Sequence, residues 1–267
     1  VLRTYRLGEA DRILVLMTAG RGKVRAVAKG VRKTGSRFGG RLEPGCHVRL
    51  LLYEGRQLDV VNQADSVEQV RGLRDDLTRL RDALALLEAV DQVAQEGESN
   101  RALFDMLVGA LRTLGRTPSP LLVAGFYWKL LALEGSAPLL DECVRCSRPV
   151  AGGPDGLGGS DAVSGPERPD PAGDPAGVDP AGVEVVALDP VEGGVICRVC
   201  QPVGGGRRSL TPAALDLIRQ ILGGGLGAAL ATPAGPVAAE VTDLATAALE
   251  SHLERRLRVP RLLERHD

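Results

Sequence analysis

The sequence predicts an α+β multidomain protein, a small β-barrel followed by a helical bundle that carries a four-cysteine element. Three observations predict it. Hydrophobic residues recur every second position up to about residue 65 and every third or fourth position after it. Charge divides at the same place: residues 1–63 hold 13 Lys and Arg against 5 Asp and Glu, a net +8, while the rest hold 20 against 29, a net −9. Finally, Cys-x-x-Cys pairs at 143–146 and 197–200 interrupt the helical stretch.

The first part reads as short strands divided by glycine turns. "VLRTYRL" (1–7) is a strand already under way, so a few native residues are expected before it. "ILVLM" (13–17) is an apolar run and "GRG" (20–22) a turn. In "KVRAVAK" Lys23, Arg25 and Lys29 fall on one face and Val24, Ala26 and Ala28 on the other. "HVRLLLY" (47–53), a turn at Glu54-Gly55 and "QLDVV" (57–61) read as a hairpin. About five such strands with one half-buried face suggest a small barrel over residues 1–65.

Beyond it, Leu73, Leu77, Leu80, Leu84, Leu87, Val90 and Ala94 recur at helical spacing. Leu103, Leu107, Leu111 and Leu114 define a second helix, and a third follows "PSP" at 118–120 through "LLVAGFYWKLLAL". "TPAALDLIRQIL" starts another, with Thr211 as cap and Pro212 at the first helical position. A last helix places Val237, Val241, Leu244, Ala248 and Leu257 on one face. The helical body thus falls in two parts, 66–142 and 203–259. No run of 18 or more apolar residues occurs, which excludes a transmembrane helix, and no secretory leader is visible.

Between the two parts lies a four-cysteine element, 143–202. Cys143, Cys146, Cys197 and Cys200 form two knuckles, the tetrahedral thiolate set that Zn²⁺ prefers, and "GGVIC" supplies the glycine turn of a zinc ribbon. No His or carboxylate stands nearby in sequence to mark an open coordination position, so the expected role is structural. Disulfides and redox pairs compete with this reading, and the missing leader argues against the first. The knuckles are set far apart, but loop-closure entropy grows only logarithmically. Residues 151–182, with the repeat "DPAGDPAGVDPAG", are low in complexity and read as a disordered spacer. Cys46, in strand-like sequence, reads as core.

The densest charge is "KVRAVAKGVRKTGSRFGGR" (23–41), with seven cations and no acid. Such a segment can follow a phosphate backbone, and its binding would depend steeply on salt. Candidate contacts are Lys23, Arg25, Lys29, Arg32, Lys33, Arg37 and Arg41. Phe38 is either a ring on which a base stacks or the anchor of the loop. Neither "GSRFGG" nor "GRGK" has the Gly-Lys-Ser/Thr ending of a nucleotide-binding loop. With few aromatics in the module, binding should rest mostly on charge.

"LGEADRILVLMTAGRGKVRAVAKGVRKTGSRFGGRLEPG", "YEGRQLDVVNQAD", the "CVRC…GGVIC…C" knuckles and "HLERRLRVPRLLER" together resemble the RecO family of bacterial recombination mediators, most of all its actinobacterial members. The resemblance covers the chain apart from 151–182. It implies an N-terminal OB-fold over 1–65, a mostly helical body and a zinc-binding element within it. It also implies binding to single- and double-stranded DNA, annealing of complementary strands, and work with RecR. Displacement of single-strand-binding protein would then let the RecA recombinase load. The expected setting is the bacterial cytoplasm, at the nucleoid, with no membrane contact.

An enzyme is the rival from another class. It would need an open metal position and a general base. The three histidines, His47, His252 and His266, have no partners that suggest one. A third reading is a scaffold that binds no DNA and docks acidic protein tails on its basic module.

Overall fold

The computed structural model describes residues 1–68, 73, 76–150, 183–201 and 208–259. The sequence-predicted insertion at 151–182 lies outside them.

Five strands open the chain: β1 (Arg3–Leu7), β2 (Asp11–Thr18), β3 (Gly22–Ala28), β4 (His47–Tyr53) and β5 (Asp59–Glu68). They form one sheet in the order β1-β2-β3-β5-β4, with β3 and β5 parallel and every other pair antiparallel. The expected hairpin across Glu54-Gly55 is the β4–β5 pair. The expected small barrel does not close: among the described residues no ladder joins β1 to β4. Their starts meet only where the Gly45 N–H donates to the Val1 carbonyl (2.9 Å) and the Val1 amine to the Cys46 carbonyl (3.0 Å). Side chains fill the interior instead of a closing ladder. Phe38 and Leu42, from the loop after β3 and its 3-10 turn (Gly39–Leu42), pack there with Leu14, Leu16, Ala26, Ala28, Val61 and Ala64.

Period-two alternation gives β2 a second job. Its other face, Val15 and Met17, joins Leu2 in the larger core that the helices build. That core gathers α1 (Leu77–Val93), α2 (Arg101–Arg116), α3 (Leu122–Leu133), α4 (Pro212–Leu222), the short α5 (Leu226–Ala229) and α6 (Pro236–His252). The α1 pattern extends back to Leu73, yet the helix starts at Leu77 because the Asp76 carboxylate accepts the Thr78 and Arg79 amides and caps it. All four predicted leucines of α2 are buried. Helix α3 is apolar on nearly every side and carries Tyr127 and Trp128 fully buried. Thr211 caps α4 as expected, with Pro212 in its first turn. Leu257 is buried but lies past the end of α6. Glu88 of α1 holds that segment by accepting the Arg258 and Val259 amides, each at 2.9 Å.

The sheet is fastened to the helical body at the start of β3. The Lys23 amide donates to the Gln95 carbonyl (3.2 Å) and the Gly97 amide to the Lys23 carbonyl (3.1 Å). Gly22 is required there: its φ is +63° and a Cβ would sit 1.7 Å from the Glu98 carbonyl oxygen.

The cysteine element is a second small sheet, β6 (Val185–Asp189), β7 (Gly194–Cys197) and β8 (Arg208–Ser209), in the order β7-β6-β8 and antiparallel throughout.

Candidate functional site

The seven predicted cations separate once they are placed in space. Lys23 and Arg25 share the outer face of β3, as the alternation predicts, but Lys23 is covered by the body. Its Nζ donates to the Asp91 carbonyl at 2.7 Å and lies 3.8 Å from the Asp91 carboxylate. The same buried carboxylate receives Arg3 Nε at 2.8 Å. Lys23, expected as a phosphate contact, thus has its charge engaged at the joint between sheet and helices. Arg25 is exposed, with Glu96 at 3.9 Å.

The remaining five cations stand on the loop between β3 and β4. Lys29 and Lys33 are exposed and have no ion pair among the described residues. The Arg32 guanidinium donates to the Glu9 carbonyl at 2.8 Å, laying the loop over the β1–β2 turn. The backbone supports that placement, since the Arg32 amide donates to the Ala10 carbonyl and the Gly30 amide to the Asp11 carboxylate. Arg37 is exposed, its guanidinium 4.9 Å from the Phe38 ring centroid. Arg41 donates to the Arg37 carbonyl at 2.9 Å, which fixes the turn and leaves its side chain at the surface. Phe38 itself is 1% exposed. It is the anchor of the loop and presents no ring face for a base, because the interior left open by the missing ladder is where an apolar ring is most stable.

Other cations of the module are held by acids: Arg12 by Glu43 at 2.7 Å and Arg21 by Asp59 at 3.0 Å. Sequence reading missed the side chains at the opposite edge. Arg49, Leu51 and Tyr53 of β4 face solvent, Tyr53 being 74% exposed. The run "LLLY" is apolar in both phases of the strand, so alternation could not reveal which face was wet.

The four cysteines come together as predicted. Their sulfur atoms all lie within 4.8 Å of one another, and those of Cys146 and Cys197 are 3.9 Å apart. Bonds of about 2.3 Å to a tetrahedral zinc put sulfurs about 3.8 Å apart, so the set fits such an ion. Cys143 and Cys197 are buried, whereas Cys146 is exposed. Each knuckle is shaped by its backbone: Ser147 takes a φ of +53°, its amide donating to the Cys143 carbonyl, and the Cys200 amide donates to that of Cys197. Gly194 lets the strands approach, since a Cβ there would stand 2.7 Å from the Leu139 carbonyl oxygen. Arg145 ties the knuckles together through its ion pair with Glu192 and its bond to the Cys200 carbonyl.

Electrostatically the set is built for a cation. Burial pushes the Cys143 thiol up, but amides including that of Cys197 (3.4 Å from Sγ) outweigh it and bring its pKa to about 6. The hydrogen bond with Cys146, then burial, push Cys200 up to about 12. One thiolate forms easily and makes the next costly. A divalent ion reverses that balance.

Residues 1–70 match the family described as Recombination protein O N terminal, and residues 74–188 match Recombination protein O C terminal. A curated relative from Frankia casuarinae, DNA repair protein RecO, is 39% identical over 269 residues, covering 99% of this chain and 96% of the relative. No helix among the described residues is long and apolar enough to cross a membrane. With both halves matched in order and near full-length identity to a DNA repair protein, this chain belongs to the RecO family.

Proposed function

We propose that the chain is a non-enzymatic mediator of DNA repair and recombination. It binds single- and double-stranded DNA through the basic module and anneals complementary strands. With RecR, it promotes loading of the RecA recombinase on DNA coated by single-strand-binding protein. The observation that carries this reading is the loop after β3, where Lys29, Lys33 and Arg37 stand exposed and neither lysine has an acidic partner among the described residues. Annealing then needs no nucleotide: a surface that partly neutralises two strands lowers their mutual repulsion. The setting is the bacterial cytoplasm, at the nucleoid.

The strand order β1-β2-β3-β5-β4 with its parallel β3–β5 pair supports an OB-type module, a five-stranded and partly open barrel. The four-sulfur set supports a zinc ion with a structural role, because all four positions are protein ligands and none is left for a substrate.

The test is binding to labelled oligonucleotide and duplex over a range of salt, with no nucleotide added. Lys29, Lys33 and Arg37 changed together to Ala should weaken binding and reduce the single-strand salt slope by about 2, three phosphate contacts at about 0.7 each. Parental affinity and slope in that variant would overturn the reading. They would favour a scaffold whose basic module docks acidic protein tails.

A further inference from the structure

Strand register puts one row of side chains across the whole N-terminal sheet. Tyr5 of β1 stands opposite Ile13 of β2, Ile13 opposite Val27 of β3, Val27 opposite Val60 of β5, and Val60 opposite Tyr53 of β4. Directly paired residues share a face. This is the face away from Leu14 and Ala26, which fill the interior. The row is therefore on the other face of the sheet, apolar in the middle and aromatic at both ends; its middle is covered, Val27 being 9% exposed and Ile13 and Val60 half-buried. Its ends differ. Tyr5 is 40% exposed and lies under the Arg3 guanidinium at 4.9 Å. Tyr53 is 74% exposed, with no hydrogen bond or ring contact among the described residues, and Leu51, two positions back on the same face, is 56% exposed.

Two apolar side chains bared on an edge strand are unusual, since edges are normally blunted with charge. The surroundings say what they suit. Arg49 stands on the same face of β4, and Arg56 follows in the exposed turn. Val27 is one residue short of the end of β3, where the chain leaves into the loop of Lys29, Lys33 and Arg37. Tyr53 is two strand spacings from Val27, about 10 Å. A free ring beside the exposed Leu51, with Arg49 and Arg56 exposed on the same edge, suits a polyanion whose flat apolar groups are accessible.

The geometry points to a base-stacking platform for single-stranded DNA on this outer face, with Tyr53 as its principal ring, Leu51 beside it and the loop after β3 holding the phosphates. It rests on the reading of the basic module as DNA-binding, and adds strand selectivity to it. In a duplex the bases are paired and stacked inside, so Tyr53 cannot reach them; in a single strand every base offers a face.

The experiment compares Tyr53→Ala and Tyr53→Phe with the parent, on oligo-dT and on a duplex of equal length, each over a range of salt. Tyr53→Ala should lose about 5- to 150-fold in affinity for oligo-dT, the loss of one base–aromatic stack. Its salt slope and duplex affinity should stay parental, and Tyr53→Phe should bind as the parent does. Exposure of the ring means the variants keep the parental melting temperature. Parental oligo-dT binding by Tyr53→Ala, or equal losses on single strand and duplex, overturns the platform and leaves the DNA-binding reading standing. A parent that binds neither substrate overturns both.

Discussion

Lys23 offers the sharpest test of how the basic segment is divided, because it lies inside that segment and yet its charge is spent on the fold. Its side chain is 15% exposed, and Nζ donates to the Asp91 carbonyl at 2.7 Å. The neighbouring carboxylate is 5% exposed and has, among the described residues, one other cation, Arg3, whose own side chain is 50% exposed. Lys23→Met keeps most of the stem's packing and deletes the charge. A buried hydrogen bond from a charged donor contributes about 1.5–3 kcal/mol. Stranding a buried ion costs about 3–5 kcal/mol, but Arg3 remains beside Asp91, so only part of that applies. Together these place the loss at about 2–3 kcal/mol. For a chain of this size that is a fall in melting temperature of about 5–10 °C.

The assay pairs a thermal melt with the salt-dependent DNA titration, and Lys33→Met is the counterpart. Lys33 is exposed on the loop, so its variant should melt within about 0.5 kcal/mol of the parent and lose about 0.7 from the single-strand salt slope. Lys23→Met should do the reverse. A Lys23→Met protein with the parental melting temperature, or one whose salt slope drops as much as that of Lys33→Met, would refute the division drawn from these contacts.

Two further outcomes are expected. On the zinc reading, Cys143→Ser should lower the metal content of the purified protein, measured by colorimetric release or elemental analysis, and melt earlier, because knuckles without metal hold β6, β7 and their flanking turns less firmly; undiminished metal content would remove the zinc assignment. His47 is the third case. Burial first, then the Arg112 charge, hold its pKa below the usual 6.5, with Glu68 opposing them. The unfolded chain therefore takes up a proton that the folded one resists, so stability is full above about 6.5 and declines as pH falls through that value. His47→Phe should flatten the difference between melting temperatures at pH 7.5 and 5.5, while leaving the ring contact with Phe104 in place; an undiminished difference would assign it to other groups.

Where the signal was local, sequence reading and structure agree. Thr211 before Pro212, the four leucines of α2 and the paired Cys-x-x-Cys knuckles are patterns whose cause lies within a few residues, and each appears as written. The four cysteines are the one distant set that could be assembled from sequence, because a metal demands a fixed number of ligands and so names its own partners. Sequence reading lost ground where a distant element decides. Lys23 and Arg25 share a strand face, and only the approach of residues 95–97 buries one and leaves the other wet. Phe38 sits among glycines and reads equally as a stacking ring or the anchor of the loop, and the space that the sheet leaves in its interior, which the ring fills, decides for the anchor. Whether the sheet closes was illegible for a related reason: strand content and glycine spacing are local, while pairing β1 with β4 is not.

On the proposed reading, the position of Lys23 also separates stability from binding. β3 is only seven residues long, about 20 Å. At its first end Gly22 and Lys23 are clamped to residues 95–97 and Asp91, and Leu2, Val15 and Met17 pack into the helical core. At its other end the chain runs straight into Lys29, Lys33 and Arg37. Helices that covered both ends would shield those cations with protein; covering one end alone leaves an open charged surface held rigidly against a large core. Annealing on the proposed reading needs that openness, since two strands must meet on one surface and leave it as a duplex. Cations buried in acid pairs, as Lys23 is, cannot take part in such exchange, because each phosphate would have to displace a carboxylate that is already desolvated. On that reading the exposed lysines, which have no acidic partner among the described residues, exchange phosphates at the cost of counterions only. The same strand thus supplies a fixed end and a free end, and the chemistry each end can do follows from which partners reach it first.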